Sequence, residues 1–281
     1  MDNHILTMDQ FNLFRWHLKQ EDREQSTIEK YLRDLRLFAI WLAGRTVTAE
    51  VVADWKNYLR TEGYKSETIN SKLSSLNKFF TFMQWPECRM KYLKIQRKMF
   101  RSPERELAKG EYLRLLETAD ALGKVRLRLL IETICATGIR VSEVKYITVE
   151  TVQAGCTDIA LKGKIRTILL PRKLCRKLQK YAKKQKITSG EIFLTRSGRG
   201  ISRRQIWAEM KALCRKAGVP ASKVFPHNLR HLFARTFYRA CRDVAKLADV
   251  LGHSSIETTR IYLISTGIEH ARQIERLGLI S

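Results

Sequence analysis

Five side chains between residues 140 and 262 have the chemistry needed to attack a phosphodiester. They are Arg140, His227, Arg230, His253 and Tyr262. Arginine keeps its charge and binds phosphate oxygens in pairs, imidazole moves protons near neutral pH, and a phenol becomes a nucleophile once its proton is taken or stabilised. No carboxylate cluster suited to a divalent metal accompanies them, so we expect neither a metal nor another cofactor, and cationic side chains must stabilise the transition state.

The first arginine stands where a turn passes into a helix. Arg140 follows Gly138 and precedes the segment VSEVKYI, which we predict to be helical. A helix N-terminus favours anions, and an arginine placed there strengthens such a site. Glu143, three residues later, lies on the same face and can hold the guanidinium, although an ordinary surface pair has the same spacing.

The second arginine shares a predicted helix with a histidine. Pro226 suits the first turn of that helix. The spacing of His227 and Arg230 puts both side chains on one face, directed at one spot. The adjacent His231 is expected to point elsewhere on the helix and is left out of the site.

The remaining histidine lies in a predicted corner between helices. Gly252 has the position of a helix C-cap, and Ser254 with Glu257 has the spacing of a capping box for the next helix. His253 is thus placed to project into a cleft, or to cap a helix end. Tyr262 follows two turns later, where an aromatic residue alone would more often belong to a core.

The charge of the chain indicates a polyanionic partner. Its 281 residues include 53 Lys and Arg against 28 Asp and Glu, a formal net charge of +25. The cations are interleaved with apolar residues, so they belong to folded elements that present a basic face. Nucleic acid is the first candidate partner and an acidic membrane surface the second.

Other classes of protein leave no signal in the sequence. No apolar run reaches the roughly 18 residues of a membrane span, and the N-terminus does not resemble a secretion signal. The six cysteines are scattered without zinc-ligand spacing, so we expect reduced thiols in a cytoplasmic protein. They are Cys88, Cys135, Cys156, Cys175, Cys214 and Cys241.

Residues 1–85 are predicted to form a bundle of four helices. The expected starts lie at Thr7, Ser26, Thr48 and Ser66. Thr7 with Gln10, and Ser26 with Glu29, have the spacing of capping boxes. Apolar residues then recur with the 3.6-residue period of a helix.

The chain is predicted to continue through a basic linker into a second domain. Residues 86–106 contain two prolines, many cations and no sustained period, and residues 107–281 return to helical patterns. Two β-like runs, DIALK and RTILL, meet at a tight turn at Gly163. Helices are expected at 109–119, 124–137, 172–185, 203–217, 228–239, 242–251, 255–262 and 267–276. The predicted fold class is therefore mainly α with a small antiparallel β-sheet.

Four segments resemble the signature boxes of the tyrosine recombinase (phage integrase) family, of the Xer and lambda-integrase type. They are TGIRVSE, LKGKIRTILLP, PHNLRH and LGHSSIETTRIY. The resemblance covers nearly the whole chain. It implies that residues 1–85 are a core-binding (SAM-like) DNA-binding domain and residues 107–281 a catalytic domain with a C-terminal tail helix.

The resemblance also implies a role for each candidate residue. Tyr262 would form a 3′-phosphotyrosyl link to DNA, and Arg140 and Arg230 would clamp the scissile phosphate. His227 would handle the tyrosine proton and His253 would hydrogen-bond the phosphate. Glu143 matches the family's acidic residue beside the first arginine and would support it.

A lysine in the β-turn would protonate the departing 5′ oxygen. The turn reads Lys162-Gly163-Lys164, one residue shorter than the family's usual KGxK pattern. Lys162 is favoured because it ends the first predicted strand, and Lys164 is the alternative.

The implied partners are double-stranded DNA and three further copies of the chain, forming a homotetramer on two recombination sites in the cytoplasm at the nucleoid. Accessory DNA-bending or directionality proteins are further candidates, and a membrane is not expected. The tail after Tyr262 would dock on a neighbouring subunit or pack on its own domain. A type IB topoisomerase and a non-catalytic DNA-binding regulator are the alternative functions.

The choice between the two lysines can be tested directly. We expect Lys162→Ala to slow strand cleavage, because the 5′ oxygen is a poor leaving group until it is protonated. Lys164→Ala should slow cleavage much less. The measurement is the rate of cleavage of a duplex that carries the target site. The reverse order of the two effects would transfer the role to Lys164.

Overall fold

The computed structural model describes residues 4–95, 103–161, 164–253, 255–263 and 275–277. The chain divides into two compact units, Met1–Arg97 and Lys98–Ser281. The boundary between them falls inside the predicted linker segment 86–106.

The N-terminal unit contains the four predicted helices. They are α1 (Met8–Gln20), α2 (Gln25–Leu42), α3 (Ala49–Thr61) and α4 (Ser66–Phe82). The predicted capping box of Thr7 and Gln10 is confirmed, since each side chain binds the other residue's backbone N–H. Thr48 caps α3 through the backbone N–H of Val51, as its position predicts.

The capping box predicted for α2 is wrong. The helix already begins at Gln25, with Glu24 at its N-cap, so Ser26 lies inside the first turn. The Ser26 hydroxyl contacts the Glu24 carboxylate at 3.4 Å, and Glu29 accepts a hydrogen bond from the Gln25 side chain. The two residues therefore stabilise the first turn through side-chain contacts and do not exchange bonds with each other's backbone.

Aromatic side chains fill the core of the bundle. Phe38 is fully buried and meets Trp55 edge to face at a centroid distance of 5.2 Å and Phe80 at 6.3 Å. Phe14 and Phe79 meet in the same way at 5.3 Å. Such pairs add specific geometry to the large apolar area that they bury.

The segment after α4 remains attached to the N-terminal unit. The amide of Asn77 binds both the N–H and the C=O of Met90, each at 2.9 Å. The amide of Asn70 binds the backbone of Leu93 in the same way, at 2.8 and 2.9 Å. Two buried or half-buried amides thus bind the backbone of residues 89–95, which follow the 3₁₀ helix Pro86–Cys88 and have no regular structure themselves.

The C-terminal unit is helical around one β-hairpin. Its elements are α5 (Lys109–Ala121), α6 (Val125–Thr137), a 3₁₀ helix (Val141–Tyr146), α7 (Val149–Ala154), β1 (Cys156–Leu161), β2 (Lys164–Leu169), α8 (Arg172–Lys184), α9 (Arg203–Ala217), α10 (Pro226–Cys241), α11 (Val244–Leu251) and α12 (Ile256–Leu263). The strands are antiparallel, with Cys156 opposite Leu169 and Leu161 opposite Lys164. The predicted fold class, mainly α with a small antiparallel sheet, is confirmed.

The start of α11 and the presence of α7 differ from the sequence prediction. The helix predicted from Arg242 begins at Val244, because Arg242 adopts a left-handed conformation at φ 54° and Asp243 caps the helix through the N–H of Lys246. Helix α7 was not predicted, since its six residues are too few to display a period. The predicted tail helix 267–276 lies outside the described residues except for 275 and 276.

Packing of α6 against α10 forms the centre of this unit. Leu130 and Ile134 on α6 and Leu229 on α10 are fully buried. A smaller cluster joins Ala234, Leu247, Leu251 and Tyr262, and it seats α11 and α12 on α10. Among the described residues, none of the helices has the length and apolar character that a membrane crossing needs.

The core of the N-terminal bundle can be tested with a matched pair on α2. Phe38→Ala should lower the free energy of unfolding by about 3–5 kcal/mol, because it leaves a cavity among packed rings. Ile40→Ala, at a side chain that is 77% exposed, should change it by about 0.5 kcal/mol or less. Urea unfolding followed by tryptophan fluorescence measures both, and equal effects would contradict the core assignment.

Candidate functional site

Arg140 is held by the carboxylate three residues after it. Glu143 is completely buried, and its Oε1 accepts from the Arg140 guanidinium at 2.8 Å while its Oε2 accepts from the Arg140 backbone N–H at 2.7 Å. Arg140 is the N-cap of the 3₁₀ helix and keeps 42% of its side chain exposed. The predicted contact of Glu143 with the Arg140 guanidinium is therefore present, and this contact leaves the guanidinium accessible to a ligand.

The turn before Arg140 requires glycine. Gly138 ends α6 with φ 64°, in the left-handed region, and a Cβ at this position would overlap the ring of Phe233. Its carbonyl accepts a hydrogen bond from Arg230. The turn thus brings Arg140 and Arg230 to the same place, although they are far apart in the chain.

Arg230 is almost entirely enclosed, with 1% of the residue exposed. Its Nη1 donates to the carbonyl of Gly138, and its Nη2 donates to the carbonyl of Leu251 at 2.7 Å and contacts Nε2 of His253 at 2.9 Å. Its Nε lies 3.3 Å from the Tyr262 hydroxyl. Burial lowers the pKa of this guanidinium, and the nearby Arg140 acts in the same direction.

His253 lies in the corner that the sequence predicts. Gly252 ends α11 with φ 63°, which confirms the predicted C-cap, and the imidazole of His253 follows it. Since Arg230 can only donate, Nε2 of His253 must accept, and Nδ1 then donates to the Thr259 hydroxyl at 2.9 Å. Burial, reinforced by the charges of Arg230 and Arg140, lowers the pKa of His253 to about 4, so the ring is neutral at pH 7. Ser254 of the predicted capping box lies outside the described residues.

Tyr262 projects from α12 into the space between these groups. It is 5% exposed, and its ring stacks near that of His253 at a centroid distance of 5.4 Å. The hydroxyl faces Arg230 and is not buried in apolar surroundings. The phenol oxygen, which is a potential nucleophile, therefore lies beside a cationic side chain.

Two histidines of α10 face the same phenol. His227 is exposed, and its ring centroid lies 5.6 Å from that of Tyr262, as predicted for a shared site. The expectation that His231 points elsewhere is wrong, because its buried ring lies 4.3 Å from the Tyr262 ring and 4.6 Å from the His227 ring. Residues four apart share a helix face, and this spacing was the signal for His231.

The lysine of the β-turn cannot be placed in the same detail. Lys162 and Gly163 lie outside the described residues, while Lys164 is the first residue of β2. The register pairs Leu161 with Lys164.

The structure adds Arg166 to this site, which the sequence analysis missed. Arg166 lies on β2 between the exposed Ile165 and Thr167, so its side chain points inward, and 9% of that side chain is exposed. Its Nη2 lies 3.1 Å from Oε2 of Glu143. A cation at an inward position of a strand was the available signal, since unpaired charges are rarely buried.

The arrangement gathers positive charge beside a phenol, which is the chemistry needed to bind an anion there. The guanidiniums of Arg140 and Arg166 contact the buried carboxylate of Glu143, and that of Arg230 lies close to both of them. The excess of positive charge can offset the negative charge that develops on a phosphorus under attack.

Family models match both units of the chain. The model of the phage integrase family matches residues 105–267, and that of the phage integrase N-terminal SAM-like domain matches residues 11–87. The tyrosine recombinase XerA of Pyrococcus furiosus is 29% identical over 276 residues, which cover 95% of this chain and 93% of that protein. The tyrosine recombinase XerD of Agrobacterium fabrum is 29% identical over 84% of this chain and 82% of its own length.

Solved structures share the fold at low sequence identity. A lambda integrase tetramer bound to a Holliday junction superposes with a TM-score of 0.74 at 17% identity, over 93% of this chain and 78% of that one. The XerH recombinase bound to its difH substrate superposes with a TM-score of 0.67 at 22% identity, over 96% and 84%.

Because His253 is held neutral, its replacement should change how the stability of the folded chain depends on pH. Its pKa is about 4 in the folded chain against the ordinary histidine value of 6.5, so the unfolded chain takes up a proton first as the pH falls between these values. The folded state therefore loses stability across this window and loses no more below it. His253→Gln should show a smaller fall in melting temperature between pH 7 and 4.5. Parallel curves for the two proteins would contradict this assignment.

Proposed function

The chain belongs to the phage integrase family, and on that premise we propose that it is a site-specific tyrosine recombinase acting on double-stranded DNA. The Tyr262 oxygen attacks the scissile phosphorus, the bond from phosphorus to the 5′ oxygen breaks, and that oxygen leaves as a hydroxyl after taking up a proton. The 3′-phosphotyrosyl bond keeps much of the energy of the phosphodiester. A 5′ hydroxyl of a partner strand can then reverse the step without a nucleotide cofactor.

Convergence of the candidate residues carries this proposal. The Tyr262 hydroxyl lies 3.3 Å from Nε of Arg230, whose Nη2 lies 2.9 Å from His253. These three side chains come from α10, α12 and the corner before α12. One partner for the hydroxyl would also suit a core tyrosine, so the support comes from the joint meeting of the phenol, the guanidinium and the imidazole.

The two arginines divide the task of holding the phosphate. Arg140 is partly exposed and offers N–H groups without rearrangement, whereas Arg230 already donates to two carbonyls and contacts His253 and Tyr262. Phosphate binding at Arg230 therefore exchanges some of these contacts for phosphate oxygens. The exchange keeps the guanidinium fixed before and after substrate arrives, which is the condition for preorganised stabilisation.

The positions of the two histidines support roles in proton transfer and phosphate binding. His227 is exposed and next to the phenol, and it is assigned to take the tyrosine proton. His253 is neutral in the free protein and can donate to a phosphate oxygen once the anion raises its pKa or it exchanges its tautomer. Lys162 remains the residue assigned to protonate the 5′ oxygen, with Lys164 as the alternative.

The substrate accounts for the charge of the chain and its division into two units. Most of the affinity for DNA should come from phosphate contacts and fall steeply with salt. Recombination joins two sites, so we propose a tetramer that exchanges strands in pairs through a four-way junction at the nucleoid in the cytoplasm. The tail after Tyr262 would join neighbouring subunits or pack on its own unit, and its residues lie outside the described part of the chain except for 263 and 275–277.

Removal of one oxygen atom tests the nucleophile. Tyr262→Phe should bind DNA within about twofold of the wild type, because the ring and its packing remain, and should form no covalent adduct. The measurement is denaturing gel electrophoresis of the protein with a nicked duplex that traps the adduct. Tyr238→Phe, a change at a ring beside the same small cluster, should form the adduct at the normal rate. An adduct that persists in Tyr262→Phe would refute the assignment.

A further inference from the structure

Arg166 occupies a position that stability alone does not explain. It is a cation buried close to two others, Arg140 and Arg230, with the carboxylate of Glu143 beside it. Burial lowers the pKa of Arg166 to about 10, the two arginines act in the same direction, and Glu143 opposes them. The guanidinium thus stays charged at neutral pH and repels its neighbours. Apolar side chains of similar volume often replace buried ionic groups without loss of stability.

One end of the guanidinium fixes the carboxylate that holds Arg140. Nη2 of Arg166 lies 3.1 Å from Oε2 of Glu143, and the same oxygen accepts from the Arg140 backbone N–H at 2.7 Å. The other oxygen of Glu143 accepts from the Arg140 guanidinium at 2.8 Å. Arg166 and the Arg140 backbone therefore share one oxygen of the carboxylate, while the Arg140 guanidinium binds the other.

The other end reaches the group that holds Arg230. Nη1 of Arg166 donates to the carbonyl of Leu251, and Nη2 of Arg230 donates to the same oxygen at 2.7 Å. The next residue is Gly252, where a Cβ would overlap Cδ of Arg166. The stem of Arg166 thus passes directly over the glycine that precedes His253.

We propose that Arg166 is a positioning residue that sets Arg140 through Glu143 and Arg230 through the Leu251 carbonyl, so that both guanidiniums meet one phosphate. This inference rests on the proposed recombinase function. A lysine could not replace it, because a single ammonium has no planar fork to span the carboxylate and the carbonyl. Arg166 acts on the phosphate through its neighbours and needs no contact with DNA.

The rival route runs through the hairpin. Because β2 also leads back to the turn with Lys162, a change at Arg166 could act by displacing the general acid. A duplex with sulfur in place of the bridging 5′ oxygen separates the two routes, since a thiolate leaves without being protonated. Loss of the general acid is then bypassed, whereas a misplaced pair of arginines still fails to stabilise the phosphorane.

The experiment compares Arg166→Met and Arg166→Lys with Thr167→Val in single-turnover cleavage of both duplexes at saturating protein. Thr167 is the next residue on β2, faces outward and bonds to Asp158 at 2.5 Å. Both changes at Arg166 should slow adduct formation about 100-fold on either duplex, with the dissociation constant for DNA within about threefold. Thr167→Val should match the wild type.

A second pair of variants moves Arg166 without changing any charge. Gly252→Ala adds a methyl group that displaces the Arg166 stem, whereas Gly218→Ala, at the end of α9, introduces the same left-handed strain into open space. The two glycines have φ of 63° and 60°, so the backbone cost is matched. Gly252→Ala should slow adduct formation at least about tenfold and Gly218→Ala less than about twofold.

Three outcomes would overturn the inference. They are normal rates in both Arg166 variants, recovery of the rate on the sulfur duplex, and equal effects of the two glycine variants. Melting temperatures identify a variant that fails to fold. If Arg166→Met fails to fold, the cleavage rate of Arg166→Lys, which retains the charge beside Glu143, tests the inference instead. If the wild-type protein forms no adduct, the proposed function fails. If the wild type and the Arg166 variants all form the adduct at the same rate, the proposed function stands and only this inference fails.

Discussion

A single buried carboxylate holds the positive charge of the site together. Glu143 is fully enclosed and binds Arg140 through two hydrogen bonds and Arg166 through an ion pair. Without it, guanidiniums from the turn after α6, from β2 and from α10 would repel one another. The placement of these cations therefore depends on one buried anion, which holds Arg140 and Arg166, and on the backbone carbonyls that hold Arg230.

Much of the fold and site could be predicted because the signals are local. The cap at Thr7, the pairing of Arg140 with Glu143, and the C-cap at Gly252 each depend on residues within four positions of one another. Local chemistry decides such features before any tertiary contact forms. The family resemblance supplied what spacing could not, namely that residues from distant segments belong to one site.

The predictions from sequence are wrong or incomplete where tertiary contacts determine the position of a side chain or the start of a helix. Ser26 has the spacing of a capping box, yet the helix begins before it at Gln25. His231 was assigned away from the phenol, although it lies one turn beyond His227 and the fold of α12 brings Tyr262 against both. Arg166 looked like one cation among many in a basic chain. The alternation along β2 indicates an inward side chain, but its contact with the Leu251 carbonyl depends on where α11 lies, and no pattern within β2 reveals that contact.

Arg230 joins the ends of two helices as well as facing the phenol. The carbonyls that it binds, those of Gly138 and Leu251, stand at the C-terminal ends of α6 and α11, where partial negative charge accumulates. Arg230 thus also stabilises the fold by linking α6 to α11. Loss of activity in an Arg230 variant therefore does not separate a disrupted fold from a lost contact with substrate. Arg140, with 42% of its side chain exposed, allows that separation more cleanly.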